Sequence, residues 1–373
     1  MKIGIITIQR SEVNFGANLQ AYALWRFVSS LGHSVEVIDL LRPCHKAYIP
    51  EGGMSFKSIL INTIRSIKNM IRPVSNDQKV RQSKIRSFNG SIDYSPTYNS
   101  IKQLYQNPPS YDLYISGSDQ IWNPNMPYRS EPYFLTFTDR RKISYASSIG
   151  VSQISDETKE KYKIWLKDYK DISVREDSAA ELLKGILGFR PSVVVDPVFL
   201  LSREEWTALS KPYAGITPGK YIFVYMLSYD ERVIAFAHKI SQSKGIPIYY
   251  SVAGYETIEN SPCKQIQNIG PLEWIWLINN ADTVVTTSFH GTAISVLLGT
   301  PFFVMVDKKK TTNSRISDLL VDLGMADHIV DMNASDCKLS DSKLDDTGYI
   351  DKLQSKIEAS KEYLKNAIAD RND

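Results

Sequence analysis

Among the side chains of this 373-residue chain that could move a proton or hold an anion, His290 has the most informative neighbourhood. It lies in Thr286-Thr287-Ser288-Phe289-His290-Gly291-Thr292-Ala293, between two apolar runs. Residues 282–286 read as a short buried strand and 293–298 as a helix stopped by Gly299 and Pro301. His290 therefore belongs to a strand-to-helix turn. In an open α/β sheet such turns sit at the carboxyl edge, where ligands bind, and the helix start offers unpaired N–H groups to an anion. An imidazole placed there can hold or protonate a phosphorylated ligand.

Three further stretches carry candidate chemistry. Gly117-Ser118-Asp119-Gln120-Ile121-Trp122-Asn123 leaves a strand with a carboxylate, amides, a hydroxyl and an indole N–H in close succession. Asp119 either caps a turn or serves as a general acid or base in a cleft. Trp122, Tyr128 and Tyr133 could stack on a sugar ring or belong to the core. Arg175, in Ser173-Val174-Arg175-Glu176-Asp177, has the planar fork that suits a carboxylate or phosphate, or it forms a surface ion pair with Glu176 or Asp177. In Asn14-Phe15-Gly16-Ala17-Asn18-Leu19-Gln20, Gly16 permits a tight backbone and Asn18 reads as a helix cap or a ligand contact. Arg315 opens a later helix, where a lone arginine is ordinarily solvated.

The elements that must position these groups alternate. A β-α-β unit occupies the first forty residues: strand 3–7, helix 18–31 ended by Gly32, and strand 34–38. Strands follow near 113–115, 143–146, 172–174 and 193–195, with helices at 155–169 and 176–183 between them. After Asp196-Pro197 a second series has strands at 221–226, 246–250, 282–286, 301–306 and 329–331, and helices at 230–244 and 273–279. The expectation is an α/β protein of two doubly wound, Rossmann-like halves: residues 1–200 with a basic insertion at about 52–90, then residues 201–345. Leu353, Ile357, Leu364 and Ile368 share a helical face, so residues 346–373 should pack as a helix on one half, crossing back to the first.

Composition narrows the function. Lys plus Arg number 44 against 41 Asp plus Glu, a net +3 without the large basic excess of a nucleic-acid binder. Cys44, Cys263 and Cys337 form no CxxC pair and read as reduced thiols of a cytoplasmic protein. No leader and no spanning helix is expected. HxxxH and HExxH are absent, which argues against a protein-held metal, and His33, His45, His238 and His328 read as structural or exposed. GxGxxG is absent too, so a dinucleotide cofactor is not expected. Between 55 and 86 eight basic residues face one acidic residue, and Phe56, Ile59, Leu60, Ile64, Ile67 and Ile71 recur at helical spacing. Such a helix either lies peripherally on an anionic membrane or packs its apolar stripe on the sheet with its charges solvated.

Taken in order, the Asn14–Gln20, Gly117–Asn123, Ser173–Glu176, Asp196-Pro197 and Ser288–Gly291 motifs resemble the polysaccharide pyruvyl transferase family over nearly the whole chain. The resemblance implies a GT-B-like architecture with the first half on the acceptor side and the second on the donor side. It also implies transfer of pyruvate from phosphoenolpyruvate to two sugar hydroxyls as a cyclic ketal, with a sugar, oligosaccharide or lipid-linked glycan as acceptor. His290 and Arg175 would then meet the donor's phosphate and carboxylate, and Asp119 the acceptor hydroxyls. Asn18, Gly117, Ser118, Gln120, Trp122, Ser288 and Gly291 would complete the substrate site. Some members of the family carry an arginine two positions before the histidine; here that position is Ser288, and Arg315 is the candidate replacement.

The chemistry follows from the donor. Protonation of C3 makes C2 oxocarbenium-like, one hydroxyl attacks, and departure of phosphate lets a second hydroxyl close the ring. His290 suits the acid role, because a neighbouring phosphate favours protonated imidazole. This reading requires an imidazole and a guanidinium from opposite halves to converge on one small anion. The rivals are a nucleotide-sugar glycosyltransferase and a non-catalytic sugar- or phosphate-binding protein.

Overall fold

The computed structural model describes residues 1–43, 45, 47–50, 75–126, 130–254, 258, 261, 263–307, 314–334 and 348–369, of Ser314 only the backbone. The apolar stripe from Phe56 to Ile71, Tyr128, Cys44 and Cys337 lie outside the described residues.

The first half opens with strand β1 (Lys2–Ile6), helix α1 (Phe15–Ser30) and strand β2 (Ser34–Val37). Helices α2 (Asn76–Asn89) and α3 (Ile101–Gln106) lead to β3 (Leu113–Ser116) and β4 (Lys142–Ser144). Helix α4 (Asp156–Leu166), β5 (Ser173–Val174), α5 (Asp177–Leu187) and β6 (Ser192–Val193) complete it. The order β2-β1-β3-β4 is parallel throughout. The parallel pair β5-β6 joins its β4 side through bridges Ile143↔Asp171 and Ser147↔Val174.

After helix α6 (Arg203–Leu209), the second half comprises β7 (Ile222–Met226), α7 (Glu231–Lys244), β8 (Ile248–Val252), β9 (Lys264–Gln265), α8 (Pro271–Asn279), β10 (Thr283–Thr286), α9 (Phe289–Leu298), β11 (Phe302–Val306), α10 (Ser314–Leu323) and β12 (Ile329–Asp331). Its parallel sheet runs β12-β11-β10-β7-β8-β9. Strands β7 and β11 are buried at every residue, as expected where helices cover both faces of a parallel sheet.

One apolar cluster runs from the first half into the second, while each half also has a cluster of its own. Phe15 of α1 stacks on Tyr225 of β7, with ring centroids 6.1 Å apart, and lies 6.0 Å from Trp274 of α8. Pairs of this kind contribute about 0.5–1.5 kcal/mol beyond burial. The 3-10 turn Pro197–Leu200, entered at Asp196, packs against both α1 and α9. Helix α11 (Tyr349–Ile368) buries Leu353, Ile357, Leu364 and Ile368. Its Ser360 hydroxyl accepts from Val195 N at 3.0 Å. Arg141, next to β4, donates to the carbonyls of Ala367 and Ala369 at 2.9 and 2.8 Å, which caps the end of the helix.

Two expectations need correction. Helix α1 starts at Phe15, not at residue 18, because Asn14 is its cap and accepts from Ala17 N. In the described part of the basic stretch the charges are not all solvated: Arg81 is buried on the inner face of α2 with Ile85 and Phe88.

Candidate active site

The turn that carries His290 is fixed from beneath. Thr286, the last residue of β10, donates from its hydroxyl to Tyr225 O at 2.8 Å and accepts Ser288 N at 3.1 Å. Ser288 caps α9 by accepting Gly291 N. Gly291 packs so closely that a Cβ there would lie 2.4 Å from Thr286 Oγ1. Ser288 and Gly291 thus build the turn, and His290 is left one residue inside the helix start.

Opposite, the start of α1 presents Gly16 to the imidazole. A Cβ on Gly16 would lie 2.3 Å from Cγ and Nδ1 of His290, so only glycine permits the two helix starts to meet. Asn18, one turn further on, donates to Ser11 O and accepts Ser11 N, both at 2.8 Å. Its amide is therefore spent on the β1–α1 loop and neither caps the helix nor is free for a ligand. Gln20 does similar work, donating to Ile8 O and Ala17 O.

Asp196 lies between the halves and is almost wholly buried. Its Oδ2 accepts Arg175 Nη1 at 2.5 Å and Ser118 Oγ at 3.2 Å, and its Oδ1 accepts Val198 N at 3.1 Å. His290 Nε2 stands 3.6 Å from the same Oδ2, too long for a hydrogen bond. Burial alone would raise the Asp196 carboxyl, but the charges of His290 and Arg175 and the Val198 N–H outweigh it and hold it well below the usual range.

Arg175 is not the surface ion pair that its neighbours in sequence suggested. It is buried, with Nε donating to Glu176 Oε1 at 3.2 Å and its guanidinium 4.4 Å from the centre of the Phe289 ring. Burial opposes its charge, yet Glu176, Asp196 and Asp119 push its pKa above the ordinary arginine value. Arg315 of α10 approaches the same ring at 5.8 Å. Burial and then the charge of Arg175 lower its pKa, while Glu176, Asp119 and Asp196 pull it back.

Asp119 is nearly buried and adopts a left-handed φ of 69°, the kind of strain that concentrates at functional turns. Its Oδ1 accepts Gln120 N at 2.9 Å, so it stiffens its own turn rather than capping a helix. Gly117 packs its backbone against Thr7 and Leu24, and Gln120 accepts Asn123 Nδ2 at 2.7 Å. Trp122 is fully buried, lies 4.9 Å from Phe134 in a stacked pair and donates its indole N–H to Tyr133 O. It offers no face to a sugar.

Two guanidinia therefore meet three carboxylates, and net charge alone does not make an anion trap. What the cluster offers is three unpartnered nitrogens against one unpartnered oxygen: Arg175 Nη2, Arg315 Nε and His290 Nε2, with Glu176 Oε2, are buried without a hydrogen-bond partner. Such groups are costly to leave unmade. Neither Asp196 nor Phe289 has a role that the sequence alone makes legible. Both stand inside the Asp196-Pro197 and Ser288–Gly291 motifs, which is the signal the sequence carries.

The family model described as polysaccharide pyruvyl transferase matches residues 14–308, which take in both helix starts, Asp119, Arg175, Asp196 and His290. The chain belongs to the polysaccharide pyruvyl transferase family. Arg315 lies beyond the matched residues. Among solved structures, UDP-N-acetylglucosamine 2-epimerase from Rickettsia bellii is similar at a TM-score of 0.54 and 10% identity, covering 99% of this chain and 96% of its own. An apo structure of OtsA is similar at a TM-score of 0.53 and 9% identity, covering 99% of each chain. At such identities the likeness shows the fold, which is GT-B. A comparison with curated proteins finds no match. No helix among the described residues is long and apolar enough to cross a membrane.

Proposed function

We propose that this family member is a ketal pyruvyltransferase that takes the pyruvyl group from phosphoenolpyruvate and joins it to two hydroxyls of a sugar, oligosaccharide or lipid-linked glycan in surface-glycan synthesis. The supporting observation is the meeting of Arg175 from one half with His290 from the other at Asp196 Oδ2, with Arg315 5.8 Å from the same Phe289 ring. In this reading the free donors of Arg175, Arg315 and His290 hold the phosphate and carboxylate, and Asp196 fixes their spacing. Electrostatic stabilisation of the leaving phosphate is the largest contribution such donors make.

The atoms balance without a redox partner. His290 as imidazolium delivers a proton to C3, turning methylene into methyl and leaving C2 electron-poor. The first hydroxyl adds to C2 and loses its proton, for which Asp119 is the assigned acceptor. The C2–O bond to phosphate breaks, the second hydroxyl adds to C2, and its proton leaves with phosphate or to the regenerated imidazole. General acid and base help of this kind contributes about 10²–10⁴-fold per group.

Incubation with phosphoenolpyruvate and a panel of free and lipid-linked sugars tests the proposal, with phosphate release and product mass as readouts. The expected result is phosphate release only with an acceptor that gains a pyruvyl ketal. Thermal protection by a sugar nucleotide but not by phosphoenolpyruvate would favour a glycosyltransferase instead. Sedimentation with anionic liposomes tests peripheral membrane association of the basic stretch near residues 55–86.

A further inference from the structure

Among the described residues outside this site, Arg81 is the buried charged side chain that reaches from the first half into the second. Arg81 sits on α2, in the first half, yet its guanidinium reaches the carboxyl end of β8 in the second. It is 1% exposed. Nη1 donates to Val252 O at 3.0 Å and Nη2 to Ala253 O at 2.8 Å. Nη2 also donates to Val13 O, in the loop before α1, at 3.2 Å. Its plane lies 4.6 Å from the Phe15 ring. Three residues further along the same helix, Lys84 pairs with Glu273 of α8 at 3.0 Å, so two contacts of α2 cross the seam.

The position of Phe15 gives this contact its consequence. Phe15 is the first residue of α1, and the next residue, Gly16, meets the His290 ring at the distance that excludes a Cβ. A planar fork that grips carbonyls of both halves at once fixes their separation, which a single ammonium cannot do. We propose that Arg81 is a positioning residue that latches the two halves at the β8 edge and thereby seats the start of α1 against the imidazole. The latch itself is a statement about geometry; its effect on turnover rests on the proposed pyruvyl transfer.

The test uses the full chain with Arg81→Met, which keeps bulk over Phe15, with Arg81→Lys, and with Arg81→Ala, which opens space for a free guanidinium ion. Hydrogen exchange is read without substrate at the amides of Ser11, Asn14 and Ala17 on one side and Ala253 on the other. Faster exchange at those positions, with the remaining core protected, is the expected result for Arg81→Met and Arg81→Ala. Turnover with phosphoenolpyruvate should fall on the order of 10²-fold in kcat with KM little changed, the scale of a misplaced catalytic group. Arg81→Lys should fall between, and millimolar guanidinium should recover part of the Arg81→Ala loss. Wild-type kcat in a folded Arg81→Met protein, or exchange at the four amides unchanged from wild type, would overturn the latch. Should the wild type itself not transfer pyruvate, the functional reading fails and the exchange result alone decides the latch.

Discussion

Two strand-to-helix turns face each other across the seam, and they are built to opposite ends. After β1, the amides at the helix start are spent internally: Asn18 holds Ser11 at both backbone atoms, and Gln20 holds Ile8 and Ala17, which leaves only Gln9 Oε1 of the preceding loop among the buried side-chain atoms without a partner. After β10, Thr286 and Ser288 likewise satisfy the backbone, but His290 Nε2 is left without a hydrogen-bond partner in a buried place. The first turn is a rigid wall. The second backs its imidazole against it, with Cγ and Nδ1 at Gly16 and the unpartnered Nε2 turned towards Asp196. A polar residue at a helix start is thus no guide to function until the destination of each of its atoms is known.

The sharpest way to break the contrast is His290→Ala, which should abolish turnover while the cooperative unfolding transition stays near that of wild type; a variant that keeps turnover would refute the role given to the imidazole. Next comes Asp196→Asn. Removing one partner of a buried pair costs about 3–5 kcal/mol, since Arg175 keeps its charge. Because the folded-state carboxyl of Asp196 is held below its unfolded value of about 3.9, its ionisation stabilises fully at neutral pH, and that contribution is lost as pH falls through the folded value. The stability gap between wild type and Asp196→Asn, read by denaturant titration, should therefore be widest near neutrality and narrow below about pH 4.

Smaller effects separate wall from reactive turn. Asn18→Ala should lower stability by about 2 kcal/mol, because Ser11 N and O lose their buried partners. Its kcat at a temperature where the variant is folded should change far less than that of His290→Ala; an equal loss would make Asn18 a ligand contact after all. Ser288→Ala, the mildest change, removes a helix cap worth about 1 kcal/mol and should shift the urea midpoint slightly.

Much of this architecture was legible in the chain. Apolar runs such as 222–226 and 302–306, punctuated by Gly245 and Gly299, give the parallel strands and the helix ends directly. The turn around His290 was legible for the same reason: strand, Ser cap and helix follow one another without a gap. Asn14 and Asn18 could not be told apart by type, since both favour helix starts; Ser11, folding back on Asn18, decides between them. Arg175 stood beside two acids at 176 and 177, which suggested a surface pair, whereas β5 lies beside β4 and β6 and draws its side chain inward to Asp196. Trp122 carried the mark of a sugar platform and became core because Phe134 covers its face.

Local order along the chain, then, was settled by the sequence itself: period-two and period-3.6 apolar patterns and capping residues act over a few positions and need no distant partner. The meeting of residues 119, 175, 196, 290 and 315, and the grip of Arg81 on Val252 and Ala253, belong to the folded state alone. Those contacts join points far apart in sequence, and they exist only once burial of the shared core has offset the entropy of bringing the two halves together.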